Sequence, residues 1–244
     1  MPRDADATAG TPVRSGFQGA ATVGVASSLL PFQRRFVRAL DSGNYNRLVL
    51  SCPRGNGKSW LASRLILRAL TPGDSLFVPG YESALFAPSL GQARIVSKFV
   101  RRAVGDNPDY RFLDSAQRIG ITHTPSNTRV IAIGSSGSSA MGLGADTVLA
   151  ICDEPGSLEP NSLLPAALNT SLGKPRDADK PPMRIVYIGT VAPARGQWWP
   201  ELVAAGTRGK TFVLSLARAT STCASRRSQS TTCWYRHRAR RCGS

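Results

Sequence analysis

Acidic residues are scarce: 15 Asp and Glu stand against 31 Lys and Arg, a formal net charge of +16. No Asp or Glu follows Glu201, so the last part of the chain holds no cluster of acids able to seat the paired metals of a nuclease. Histidine is limited to His123 and His237. His123 has no ligand-type neighbours, which argues against a metal role there. The five cysteines (Cys52, Cys152, Cys223, Cys233 and Cys242) are odd in number and scattered, unlike a disulfide framework. Cys223, Cys233, His237 and Cys242 lack a close Cys-x-x-Cys pair, so zinc is not expected either. No apolar run approaches the ~20 residues of a membrane span. The N-terminus carries Asp4 and Asp6 and no apolar segment, unlike a signal peptide. The expectation is a soluble, intracellular protein.

The basic excess points to a polyanionic partner, nucleic acid first among them. Residues 217–244 hold seven Arg with no acid or Lys, and the remainder still carries 24 basic against 15 acidic side chains. The body is therefore basic without its tail. With 244 residues, 41% of them hydrophobic, there is enough chain for a sizeable core. Composition divides it into a small-residue, polar arm over 1–28, a patterned body over 29–216, and a basic, aromatic tail over 217–244. The tail lacks apolar periodicity and is read as disordered or as an aberrant end.

The body is organised around Ser51-Cys52-Pro53-Arg54-Gly55-Asn56-Gly57-Lys58-Ser59. An apolar run, Arg47–Leu50, precedes it as a buried strand, and Trp60–Leu70 follows with apolar residues at helical spacing. Strand, Gly-containing loop, Lys-Ser and helix form the layout of a phosphate-binding P-loop. Gly55 and Gly57 allow backbone angles that turn successive N–H groups toward one centre. The helix start adds free N–H groups and partial positive charge. Lys58 is placed to reach the outer phosphates of ATP and Ser59 to ligate Mg²⁺. The strict pattern has Gly where this chain has Cys52.

A second signal is Thr147–Asp153, an apolar run closing on Asp153-Glu154 before Pro155. At the carboxyl end of a buried strand, Asp153 faces the ligand crevice, where an Mg²⁺-anchoring carboxylate belongs. Glu154 is then placed to orient and deprotonate an attacking water. Met183–Ala192 reads as a further strand whose tip, Thr190, can sense the γ-phosphate. Other predicted strands cover 83–88, 129–134 and 211–216. Helices are predicted over 29–40, opened by Pro31, over 90–104, capped by Ser89, and from 197 onward. Gln33 lies shortly before the P-loop, where many motor ATPases read the adenine edge; a solvated helix glutamine fits the pattern equally. The Gly/Ser-rich run Gly134–Gly144 is a surface loop that can carry DNA contacts or a switch. Alternating strands and helices predict an α/β fold with a central, mainly parallel sheet flanked by helices.

Taken together, these residues resemble the ATPase domain of tailed-bacteriophage terminase large subunits. The resemblance covers about residues 29–216. It rests on Cys52–Ser59, on Ala87-Pro88-Ser89-Leu90-Gly91-Gln92-Ala93-Arg94, on Gly142-Leu143-Gly144-Ala145-Asp146 leading into Asp153-Glu154, and on Ile188-Gly189-Thr190. It implies a RecA-like ASCE P-loop NTPase driving double-stranded DNA into a capsid, as a homo-oligomeric ring on a portal protein in the host cytoplasm. A small terminase subunit is the implied companion, with ATP and Mg²⁺ at the site. By position it implies that Pro53, Arg54, Gly55, Asn56, Gly57, Lys58 and Ser59 hold the phosphates. Ser59 and Asp153 would hold Mg²⁺, Glu154 would be the base, Thr190 the coupling residue and Gln33 the adenine contact. Arg54 resembles a P-loop arginine that stabilises the γ-phosphate; a surface charge is its other reading. The sequence departs from the family in lacking the acids of a nuclease domain. No Arg lies between Arg129 and Asp153 to serve as a neighbour-directed finger. Two rivals fit the same residues: another DNA-dependent P-loop ATPase, and a truncated, inactive DNA-binding fragment.

Overall fold

The computed structural model describes residues 29–116, 118–134, 146–158, 163–173, 180–190 and 198–216. The arm over 1–28, residues 135–144 of the Gly/Ser-rich run and the tail over 217–244 lie outside them. One eight-stranded sheet organises the described chain. Its strands are β1 (Arg47–Ser51), β2 (Glu82–Ala87), β3 (Tyr110–Asp114), β4 (Ile119–His123), β5 (Thr128–Gly134), β6 (Thr147–Asp153), β7 (Arg184–Gly189) and β8 (Thr211–Ser215), in the order β3-β4-β5-β2-β6-β7-β1-β8. From β5 to β8 every pairing is parallel, while β4 runs antiparallel to both β3 and β5.

The helices are α1 (Pro31–Asp41), α2 (Lys58–Leu70), α3 (Leu90–Val104), α4 (Leu164–Gly173) and α5 (Trp198–Ala204). The central strands are apolar along their middles because both their faces are covered. Side chains alternate between the two faces. Leu48, Leu50, Ile151, Val186 and Ile188 join α1, α2 and α3 in one core. Val49, Ala150, Cys152, Ile185 and Tyr187 join Leu164 and Leu168 of α4 and Trp199 of α5 in the other. Phe36 and Leu40, fully buried, seat α1 on the first face. The Ser89 hydroxyl accepts the Gln92 N–H at 3.2 Å, the cap expected for α3.

Three elements went unassigned in the sequence: β3, β4 and α4. β3 is an edge strand with no fully buried residue, so it carries no apolar alternation. β4, Ile-Gly-Ile-Thr-His, does alternate, but only two of its five residues are large and apolar. His123 ends β4 as a packed histidine. Its Nδ1 lies 2.7 Å from the Ser126 hydroxyl, its ring meets Tyr110 at 5.2 Å, and burial lowers its pKa.

Candidate functional site

β7 lies between β6 and β1, so the carboxyl ends of these three parallel strands adjoin. The chain leaves β1 into the loop that precedes α2. Gly55 (φ 82°) and Gly57 (φ 69°) both occupy the left-handed region, which explains glycine at these two positions. The Asn56 amide ties the loop across its mouth by donating to the Pro53 carbonyl at 3.0 Å. The Leu61 N–H bonds the Gly57 carbonyl at 2.8 Å and starts α2. The first-turn N–H groups of α2 have no intrahelical partner, so an anion is favoured there. Cys52, where the strict motif has glycine, has no positive φ and is wholly buried in the core. Burial pushes its thiol up to about 11, so it packs as a small apolar residue.

From β6, Asp153 meets Ser59 of α2. The Ser59 hydroxyl donates to Asp153 Oδ2 at 3.1 Å. Asp153 is wholly buried and its other oxygen, Oδ1, has no hydrogen-bond partner. Burial pushes its carboxyl up to about 6, against hydrogen bonds from Ser59 and Gln92 that pull it down. A buried carboxylate with one idle oxygen beside a hydroxyl suits a hard cation, which would restore its charge. Among the described residues no group of three or more His, Cys, Asp or Glu converges to hold a metal ion. Ser59 and Asp153 are of the chemistry that fits Mg²⁺, with substrate oxygens and water left to complete its shell.

Glu154 follows Asp153 with φ at 53°, one of two non-glycine residues in the left-handed region among the described residues. Its N–H bonds the Ile188 carbonyl of β7 at 2.8 Å, which holds the strained turn. The carboxylate is thereby aimed at two partners. Thr190 donates to it from the backbone N–H at 3.0 Å and engages both oxygens through its hydroxyl, at 3.0 and 2.8 Å. Lys58 Nζ, nearly buried, forms an ion pair with Oε1 at 3.3 Å and also donates to the Pro53 and Cys52 carbonyls at 3.2 and 3.4 Å. The Thr190 carbonyl in turn accepts the indole N–H of Trp199 at 2.9 Å.

No family model matches the sequence, and no curated protein matches it. Solved structures do match the fold. The HK97 bacteriophage large terminase aligns with a TM-score of 0.62 and 24% identity over 80% of this chain. The large terminase ATPase domain of Thermus phage P74-26 aligns with a TM-score of 0.51 and 20% identity, over 74% of this chain and 71% of that one. The fold is that of a large-terminase ATPase domain. The chain spans about 40% of the length of the HK97 large terminase that it matches.

Within this terminase fold, most of the expected site residues come together. Lys58, Ser59, Asp153, Glu154 and Thr190 form one connected cluster, with Gly55, Asn56 and Gly57 shaping the loop beside it. Arg54 is not drawn in: it is exposed and makes no ion pair among the described residues. Gln33 is not the solvated helix residue that α1 allowed, because it is 2% exposed and bonded at both ends of its amide. One site residue was overlooked. Gln92, in the first turn of α3, points its amide N–H at Asp153 Oδ2 (3.4 Å) and at the Ser59 hydroxyl (3.5 Å). It stands in the Ala87–Arg94 stretch, already singled out, and as a polar residue three beyond the Ser89 cap it carried a readable signal.

Gly189 explains the small residue before Thr190. A Cβ there would lie 2.8 Å from Pro155 Cδ and 2.9 Å from the Trp199 ring. Gly189→Ala is expected to cost about 1–3 kcal/mol through overpacking. A thermal melt should show a midpoint lower by about 2–12 °C; an unchanged midpoint would mean that Pro155 and Trp199 pack loosely.

Proposed function

We propose that this chain is the ATP-hydrolysing motor module of a viral DNA-packaging machine. The observation that supports this most is the meeting of Lys58, Ser59, Asp153, Glu154 and Thr190 at the adjoining ends of β1, β6 and β7. On this reading the loop N–H groups from Gly55 to Ser59 cradle the β- and γ-phosphates of ATP, and Lys58 binds their outer oxygens. Ser59 and Asp153 would hold Mg²⁺, which would supply positive charge to offset that of the phosphates. Glu154 orients the attacking water and takes its proton. Thr190 holds the Glu154 carboxylate in place and passes its position on to Trp199. Arg54, exposed beside the loop, supplies a further positive charge for the γ-phosphate.

Lys58 links binding to the base. Its ammonium pairs with Glu154, and a triphosphate would compete for it. Loss of that pairing leaves Glu154 with Thr190 alone and makes it the stronger base for water. Gln92 steadies Asp153 and Ser59. Gln92→Leu is expected to raise the Mg²⁺ concentration for half-maximal ATP binding several-fold, by about one hydrogen bond's worth. A Mg²⁺ titration followed by nucleotide fluorescence reads this out; an unchanged midpoint would leave Gln92 a packing residue only.

The excess of basic residues supports double-stranded DNA as the track, held through its backbone and weakened by salt. The packaging role carries with it a homo-oligomeric ring, a portal and a small terminase subunit as partners, and a site of action at the portal in the host cytoplasm. Among the described residues, no helix is long and apolar enough to cross a membrane. The test is Mg·ATP hydrolysis by the purified chain, with and without duplex DNA. Hydrolysis stimulated by duplex of any sequence, and suppressed as salt rises, is the expected result. Failure to bind Mg·ATP at all would overturn the motor reading and favour the inactive DNA-binding fragment.

A further inference from the structure

Gln33 is a buried polar side chain that reaches the P-loop from α1, outside the strand-loop-helix unit. Both ends of its amide have partners of opposite kind. Its Oε1 accepts the Leu30 N–H at 3.0 Å, closing the start of α1. Its Nε2 donates to the Asn56 carbonyl at 3.1 Å, across 23 residues of chain. A backbone N–H needs an acceptor and a carbonyl needs a donor, so these two partners define which way the amide faces. The side chain is 2% exposed, leaving almost no surface for a base. Gly57 completes the contact: a Cβ there would lie 3.2 Å from Gln33 Nε2, so glycine at this position also admits the amide.

The consequence lies in the Asn56–Gly57 peptide. In a trans peptide the C=O and the following N–H point in opposite directions. Gln33 grips the Asn56 carbonyl from the α1 side, which directs the Gly57 N–H to the opposite side of the loop. Gly57 sits at φ 69°, a geometry that glycine adopts but does not hold by itself. An external hydrogen bond on the preceding carbonyl is what selects that orientation from the many open to a Gly-Asn-Gly turn. Asn56 is tied again from within by its own bond to the Pro53 carbonyl.

We propose that Gln33 is a positioning residue for the phosphate loop, setting affinity for the triphosphate and leaving the identity of the base unread. The proposal rests on the P-loop reading above. It departs from the expectation that Gln33 reads the adenine edge, since its amide is already engaged with the chain.

The experiment is calorimetric titration of the purified chain with Mg·ATP, Mg·GTP and magnesium tripolyphosphate, which has no base. Gln33→Met keeps the bulk and removes both hydrogen bonds. Gln33→Glu keeps the acceptor for Leu30 and loses the donor to Asn56, which guards against a failure of α1 itself. Thermal melts without nucleotide establish that each variant is folded. The expected result is about a tenfold loss of affinity in both variants, the size of one or two hydrogen bonds, and equal for the three ligands. A loss confined to ATP, with tripolyphosphate binding unchanged, would overturn the proposal in favour of base reading. No loss for any ligand would overturn it outright. Wild-type protein that binds none of the three would remove the P-loop reading and this inference with it.

Discussion

Glu154→Gln should lower Mg·ATP turnover by about 10²–10⁴-fold, the usual worth of a general base, while Mg·ATP still binds. The substitution keeps the shape of the side chain. The Gln oxygen still accepts the Thr190 N–H, and the Thr190 hydroxyl can turn to accept from the new amide; those contacts are 2.8–3.0 Å in the native chain. The strained backbone at Glu154, held by the Ile188 carbonyl, needs no side-chain charge. What disappears is the basic oxygen and the ion pair with Lys58. Single-turnover hydrolysis measured beside equilibrium binding separates the two effects. Turnover equal to the native rate would mean that another group takes the proton, and the Asp153-Glu154 assignment would have to be redrawn.

The second large effect is expected at the other end of that ion pair. Lys58→Ala removes the one nearly buried cation of the cluster. A charge-assisted hydrogen bond is worth about 1.5–3 kcal/mol, so Mg·ATP should bind about 10–150-fold more weakly by calorimetry. The fold should survive. Among the described residues the polar partners of the Lys58 ammonium are the Cys52 and Pro53 carbonyls and Glu154, and Glu154 retains Thr190. A thermal midpoint near the native value, together with weakened binding, would assign Lys58 to the phosphates. A collapse of the midpoint with nucleotide affinity intact in the folded fraction would assign it to structure. Comparing the two variants is informative in itself, since one is expected to lose rate and the other affinity.

Much of the site could be read directly from the chain because its parts are contiguous. Gly55, Gly57, Lys58 and Ser59 occupy one loop and one helix turn, and the conformations they need are local. Asp153 ends, and Glu154 follows, a seven-residue strand that is buried throughout and apolar over its five middle residues. Period and punctuation likewise marked β1, β2, β5, β6, β7, β8, α1, α2 and α3, each of which pairs a strong apolar pattern with a cap, a turn or a stop. β3 and α4 escaped because an exposed edge strand and a short helix leave little pattern to find.

Tertiary structure decided the rest, through pairings that no local pattern encodes. The sheet order sets β7 between β6 and β1, and only this brings Thr190 to Glu154 across 36 residues. Gln92 reaches Asp153 across 61 residues because α3 and β6 converge on the same end of the sheet. Gln33 is the sharpest case. Helical spacing put it beside the apolar face of α1 and left it either solvated or facing a base. Packing α1 beside the P-loop buried it and turned its amide to the Asn56 carbonyl. Sequence thus determined which chemical groups the chain holds and where a phosphate-binding turn forms, since these depend on neighbours in the chain. Which groups touch, and which are removed from water, depended on strand order and helix packing. Those follow from the burial of two apolar faces at once, a condition that only the whole fold satisfies.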